Sequence, residues 1–130
     1  MNSDAKKMYL EYDCSTFLME SEGVYETYKA FNTTREQEKE WAAEKLITVI
    51  DDLRNRFNIA DLVGAFRLIN QIKQYENVPV LFELLQTNRG SMKDEDFSRC
   101  CVKFIKWVEK LNEHGYDGME IIAEVKCFLE

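Results

Sequence analysis

The fold is decided by the stretch NTTREQEKEWAAEKLITVIDDLRNRF, residues 32 to 57. Its apolar residues recur at intervals of three and four, which is the period of one face of an α-helix. The stripe consists of Ala42, Leu46, Val49, Ile50, Leu53 and Phe57. Thr33 and Glu36 have the spacing of a capping box, in which the two side chains satisfy free backbone N–H groups at a helix start. The stretch therefore predicts a long amphipathic helix that starts at residues 32 to 34 and ends near Phe57.

Helical spacing continues through the rest of the chain. Asn58 is a suitable N-cap for a helix that runs to about Tyr75, and residues 77 to 79, with Pro79, indicate the start of another that ends near Thr87. These two helices are expected to form a hairpin. Residues 94 to 96 are all acidic, which favours a helix N-terminus there, and this helix is expected to end at His114-Gly115. A last helix is predicted over about residues 117 to 129.

Each of these helices has an apolar face that is expected to point inward. In the helix after Asn58 the face consists of Ile59, Leu62, Val63, Phe66, Ile69 and Ile72. In the helix from Asp94 it consists of Phe97, Cys100, Cys101, Phe104, Val108 and Leu111, and in the last helix of Met119, Ile122, Val125 and Leu129.

The first thirty residues read differently. Met8, Leu10 and Tyr12 alternate with Tyr9, Glu11 and Asp13, which indicates a short strand or extended arm over residues 8 to 19. A short helix is predicted over residues 21 to 31. Taken together, the pattern predicts an all-α fold, a single-domain irregular bundle of about five to six helices over residues 1 to 130. Stacked helical hairpins, as in a short α-solenoid, are the alternative arrangement, although no repeating residue pattern supports a repeat.

Length and composition fit one folded domain. A chain of 130 residues with 45% hydrophobic and 32% charged residues can bury a core and is too apolar for a disordered chain. The N-terminal residues contain no continuous apolar stretch of the kind that a signal peptide needs, so a cytoplasmic protein without membrane attachment is expected. The four cysteines are accordingly expected to be reduced thiols.

The charge is negative and unevenly distributed. The formal net charge is -7, and residues 9 to 52 contain eleven acidic and four basic residues, whereas residues 53 to 130 contain twelve acidic and eleven basic ones. Because a nucleic acid has a dense negative field, this imbalance disfavours direct binding of DNA or RNA. It favours a basic partner for the first part of the chain.

No catalytic or metal-binding pattern is present. His114 has the position of a helix C-terminal residue before a glycine, and no serine or cysteine nucleophile is paired with it by a local motif. Cys100 and Cys101 are adjacent, which does not match the spacing of zinc ligands, and buried thiols are the simpler interpretation. We therefore expect a protein that is not an enzyme, with no catalytic residues, no metal and no cofactor.

The most informative surface feature is the repeat of Glu36, Glu40 and Glu44. Residues four apart lie on one face of a helix, where each pair of like charges is unfavourable by about 0.2 to 0.5 kcal/mol. A solvated helix face is the ordinary interpretation of such a run. A binding surface is the alternative, because acids interleaved with aromatic residues suit contact with a basic partner. The aromatic residues of this region are Tyr9, Tyr12, Tyr25, Tyr28 and Trp41, and burial in the core is the alternative interpretation for many of them.

The pattern Tyr12-x-x-Ser15-x-Phe17-x-Met19, then Tyr25-x-x-Tyr28, then Glu36-x-Glu38-x-x-Trp41-x-x-Glu44 covers the first third of the chain. It resembles the small acidic immunity proteins encoded beside bacterial polymorphic toxins, including those of contact-dependent growth inhibition systems. The resemblance implies no fold, because such proteins have many unrelated folds. It implies a cytoplasmic inhibitor that binds its cognate toxin domain, here a nuclease with a basic surface, and covers the active site or substrate-binding surface.

On this hypothesis the protein is a monomer that forms a one-to-one complex with the toxin and binds neither nucleic acid nor membrane. The predicted partner-binding residues are Tyr12, Asp13, Glu22, Tyr25, Glu26, Glu36, Glu40, Trp41 and Glu44. A helical adaptor or scaffold for another cytoplasmic protein is the alternative function, since it requires the same composition.

Overall fold

A computed structural model describes residues 35 to 130. This part of the chain consists of five α-helices joined by short connections, and it contains no strand: α1 Arg35–Asn55, α2 Ile59–Ile72, α3 Val78–Thr87, α4 Asp94–Glu113 and α5 Met119–Phe128. Two short 3-10 turns, Tyr75–Asn77 and Arg89–Ser91, precede α3 and α4. The predicted all-α bundle is confirmed.

The helix starts follow the local signals in the sequence. The Asn58 side chain accepts a hydrogen bond from the Asp61 backbone N–H at 2.9 Å and donates one to the Asp61 carboxylate at 2.8 Å, which caps α2 as predicted. Pro79 lies in the first turn of α3, where its missing N–H leaves no helical bond unmade. Three acidic residues lie in the first turn of α4, at the positive end of the helix dipole.

One apolar core joins the helices. All six residues of the stripe predicted in α1 are buried, as are all six inward residues predicted in α4. Phe66 of α2 and Phe104 of α4 are fully buried at its centre, with their rings 4.9 Å apart and nearly perpendicular. Trp107 stacks on Phe66 with a centroid distance of 6.0 Å. The aromatic cluster therefore fixes α4 against α2.

The most extensive helix contact is between α1 and α2, and α4 packs against both α2 and α5. The contact between α2 and α3 is smaller. The hairpin predicted for α2 and α3 is thus a minor contact, because α2 uses most of its apolar surface on α1 and α4. Arg89, in the turn before α4, lies over the rings of Phe97 and Phe128 at 5.4 and 5.6 Å and links this turn to α4 and α5.

Three details differ from the sequence predictions. The helix α2 ends at Ile72 and not near Tyr75, because Lys73 has left-handed backbone angles (φ 56°) that close the helix. Met119 and Leu129 are 64% and 40% exposed, so their predicted inward positions are wrong. Both lie at the ends of α5: Met119 is its first residue, where its sulfur accepts a hydrogen bond from the Asn112 side chain of α4 at 3.6 Å, and Leu129 is its C-cap.

The extended arm predicted over residues 8 to 19 and the helix predicted over 21 to 31 lie outside the described residues, as does Thr33. Between residues 35 and 130 no helix has both the length and the apolar composition needed to cross a membrane.

Candidate functional site: the acidic face of α1

The exposed side of α1 carries a row of acidic residues. Glu36, Glu40 and Glu44 are exposed, and so is Asp51. At 100° per residue these positions and position 47 fall within an arc of about 80°, so they share one face of the helix. We call Glu36, Glu40, Glu44, Ile47 and Asp51 the acidic face of α1.

An apolar side chain lies in the middle of this face. Ile47 is 66% exposed, the highest value among the large hydrophobic residues in the described part of the chain. Its neighbours one helical turn away, Glu44 and Asp51, are both acidic and exposed. An exposed isoleucine surrounded by carboxylates is not needed for the core. In a complex it would supply apolar contact area at the centre of a charged surface.

The positive charges near the acidic face balance it only in part. Arg54 forms an ion pair with Asp51 at 3.1 Å, but both side chains are more than half exposed, and such surface pairs contribute only about 0 to 1 kcal/mol. Lys39 is exposed, whereas Lys45 is 4% exposed and belongs to the buried side of the helix. The face is therefore negative from Glu36 to Asp51, over about four helical turns.

The described residues include four of the nine predicted partner-binding residues. Glu36, Glu40 and Glu44 lie together on the acidic face. Trp41 is only 4% exposed and is part of the apolar core, so its prediction as an exposed anchor is corrected. The reason is angular: Trp41 is rotated about 100° from Glu40, toward the buried side of α1. The remaining predicted residues lie outside the described range: Tyr12, Asp13, Glu22, Tyr25 and Glu26.

Ile47 was not among the residues predicted to bind a partner. It stands in the run Leu46-Ile47-Thr48-Val49-Ile50, where four of five residues are apolar and composition alone does not separate the two faces. Its angular position, between those of Glu36 and Glu40, is the signal that identifies it as exposed.

Two of the three cysteines among residues 35 to 130 are shielded by their surroundings, whereas the third, Cys127, is exposed. Cys100 and Cys101 are buried, as predicted. Burial raises the pKa of Cys100 to about 11, with further contributions from Cys101 and Asp96, and burial likewise raises the pKa of Cys101 to about 11 against a small opposing effect of Arg89. Because the nucleophile is the thiolate, these neutral thiols have little reactivity near neutral pH.

His114 is at the end of a helix, as predicted. It is the C-cap of α4, its backbone N–H donates to Leu111 O at 3.0 Å, and its carbonyl oxygen accepts a hydrogen bond from the Tyr75 hydroxyl at 3.4 Å. Gly115 follows with a φ of 104°, a conformation that favours glycine. Among residues 35 to 130, no three histidine, cysteine or acidic side chains are grouped so that they could hold a metal ion.

Comparison with protein-family models, with curated proteins and with solved structures found no match for this chain. The described residues therefore class this protein by its structure, as an all-α bundle with an exposed acidic helix face.

Proposed function

We propose that this protein is an immunity protein that binds and neutralises a cognate toxin domain, a nuclease with a basic surface, in the cytoplasm. The observation that carries the proposal is the acidic face of α1, where exposed glutamates at spacings of four precede the exposed Ile47 and Asp51 follows it. The concentration of the net charge in residues 9 to 52 and the resemblance of the first third of the chain to immunity proteins support it.

The physical argument is electrostatic. A nuclease must attract the phosphate groups of its substrate, so the surface around its active site is rich in lysine and arginine. A row of carboxylates is negative, as the phosphates are, and is therefore attracted to that basic surface. Complementary charge of this kind raises association rates by roughly 10 to 1,000 times at low salt. The inhibitor thus competes for the substrate-binding surface.

Charge alone does not give a long-lived complex, because exposed ion pairs contribute little and are screened by salt. Slow dissociation requires a desolvated apolar contact near the centre of the interface. Ile47 is placed to supply that contact, since it lies between Glu44 and Asp51 on the same face.

The neighbouring genes distinguish this function from that of an adaptor. An immunity gene is expected immediately beside the gene of its toxin. Expression of the toxin domain encoded there should stop growth, and coexpression of this protein should restore it. If no toxin is encoded beside this gene, or if coexpression does not restore growth, the immunity function is wrong and a helical adaptor becomes the better proposal.

The contact surface is tested by charge reversal. Replacing Glu36, Glu40 and Glu44 together by lysine should slow association with the toxin domain by about tenfold or more, and the wild-type rate should fall as salt is raised. The matched control replaces Glu109, Glu113 and Glu120, which are also exposed, and changes the net charge by the same amount. Glu120 lies in the first turn of α5 as Glu36 does in α1, so each variant has one change at the positive end of a helix dipole.

Stopped-flow fluorescence gives the association rates, and circular dichroism shows whether both variants keep their helices. If the control slows association as much as the α1 variant does, the acidic face is not the contact surface, although rescue of growth would still support the immunity function.

A further inference from the structure

A groove lies on another part of the surface, between the start of α2 and the first half of α4. Its larger part encloses about 500 Å³ and is lined by Ile59, Glu95, Ser98, Arg99, Val102 and Lys103. It continues at Ile59 and Arg99 into a depression of about 370 Å³ that reaches Arg56 and Lys93. None of these residues belongs to the acidic face of α1.

The floor of the groove is apolar. Val102 is 41% exposed although it is a β-branched apolar residue in the middle of a helix, and Ile59 is half-buried beside it. Phe57 and Cys100 close the floor of the depression with exposures of 7% and 2%, and Met92 is half-buried at its edge. An open apolar floor of this shape is better suited to apolar side chains than to phosphate groups.

The rim of the groove is positive in a protein whose net charge is -7. Arg99 is paired with Glu95 at 3.1 Å. Arg56, Lys93 and Lys103 are exposed and form no ion pair within residues 35 to 130, and Asp96 is the one other acidic residue in the lining. The rim therefore has more positive than negative charge.

We propose that this groove is a docking surface for an acidic amphipathic segment of a partner protein. Apolar side chains of the segment contact Val102 and Ile59, while its aspartates and glutamates lie against Arg56, Lys93 and Lys103. A basic segment would meet like charges on the rim. Along α4 the groove extends from Glu95 to Lys103, about 12 Å at 1.5 Å per residue, which matches roughly two turns of a bound helix.

This proposal does not depend on the immunity function, because it rests on different residues and on a partner of opposite charge. A partner that is basic at its active site and acidic elsewhere could occupy both surfaces, but the groove can be tested alone.

The test is a nuclear magnetic resonance titration of the isotope-labelled full chain. The probe is a synthetic amphipathic peptide of about 12 residues, with leucine at helical spacings of three and four and glutamate at the other positions. A second peptide has lysine in place of every glutamate. The glutamate peptide is expected to bind saturably and to shift the amide signals of residues 56 to 59 and 92 to 103, and the lysine peptide is expected to bind at least about tenfold more weakly.

Two variants locate the contact. Val102→Asp places a carboxylate on the floor and should weaken binding of the glutamate peptide by about tenfold or more. The matched control is Leu129→Asp, since Leu129 is 40% exposed and lies outside the groove; it should leave the affinity nearly unchanged. The double change Lys93→Glu with Lys103→Glu should also weaken binding, unlike the equal charge change at the exposed Lys39 and Lys126, which lie outside the groove.

Several outcomes overturn the proposal. These are no saturable binding of the glutamate peptide, equal binding of both peptides, or equal effects of Val102→Asp and Leu129→Asp. A short DNA oligonucleotide that shifts the groove signals when the glutamate peptide does not would show that the rim recognises phosphate and not an acidic protein segment.

Discussion

The helix pair α1–α2 and the helix pair α4–α5 have the same kind of core but different connections and surfaces. Both pairs pack through stripes of buried aliphatic and aromatic residues. The first connection is closed by a polar cap, the Asn58 side chain. The second is closed by two glycines and by Asn112, whose side-chain oxygen accepts a hydrogen bond from the Gly118 N–H at 2.8 Å.

Charge differs between two places on the surface of these pairs. The exposed face of α1 is acidic, whereas the groove that α2 and α4 share has a positive rim. Because the cores are alike, the fold does not require this difference. Packing thus fixes the arrangement of the helices, while the charges on their exposed faces are not constrained by the fold and can be used for binding.

Of the two connections, the one with the glycines gives the larger expected effect on stability. A Cβ atom at position 118 would overlap the Val108 side chain and lie 2.8 Å from Tyr116 Cε2. Gly118→Ala should therefore lower the free energy of unfolding by about 1 to 3 kcal/mol, as overpacking in a filled site does. Urea denaturation followed by circular dichroism measures it. Gly90→Ala is the control, because a Cβ atom there meets no other atom within 4 Å. Equal losses in the two variants would show that α5 does not approach α4 this closely.

The polar connection gives a smaller effect. Asn58→Ala removes the cap of α2 and should lower the free energy of unfolding by about 1 kcal/mol, and Asn58→Ser should recover part of this loss because serine keeps an acceptor oxygen. Asn55→Ala is the matched control: Asn55 is exposed, and its side chain makes no hydrogen bond in the described part of the chain. A loss as large for Asn55→Ala as for Asn58→Ala would contradict the capping role.

Sequence periodicity predicted the helices and most of the core, and it failed where position along a helix outweighs residue type. The stripes in α1 and α4 were predicted because they repeat over several turns. Met119 and Leu129 were misplaced because the same spacing continues to the ends of the helix, where these two side chains stay largely uncovered. Trp41 was assigned to the surface from its acidic neighbours, although its angle on the helix places it in the core. The groove could not be predicted, because residues 56 to 59 and 92 to 103 meet only through the packing of α2 on α4.

The smallest expected effect on stability is at Ile47, and it compares the two faces of α1 directly. Ile47 is 66% exposed and Ile50, three residues further, is 6% exposed. Ile47→Ala removes almost no buried area, so the free energy of unfolding should change by less than about 0.5 kcal/mol. The identical substitution Ile50→Ala leaves a cavity in the core and should cost about 2 to 5 kcal/mol.

Although Ile47→Ala should have little effect on stability, it should have a large effect on binding. If the acidic face meets a toxin, Ile47→Ala should raise the dissociation rate of the complex by about tenfold while the association rate stays nearly constant, because steering depends on the glutamates and not on the isoleucine. Surface plasmon resonance separates the two rates. A stability loss comparable to that of Ile50→Ala would show that Ile47 is part of the core. Unchanged stability together with an unchanged dissociation rate would place Ile47 outside the contact and leave the glutamates as the only part of the acidic face that acts in binding.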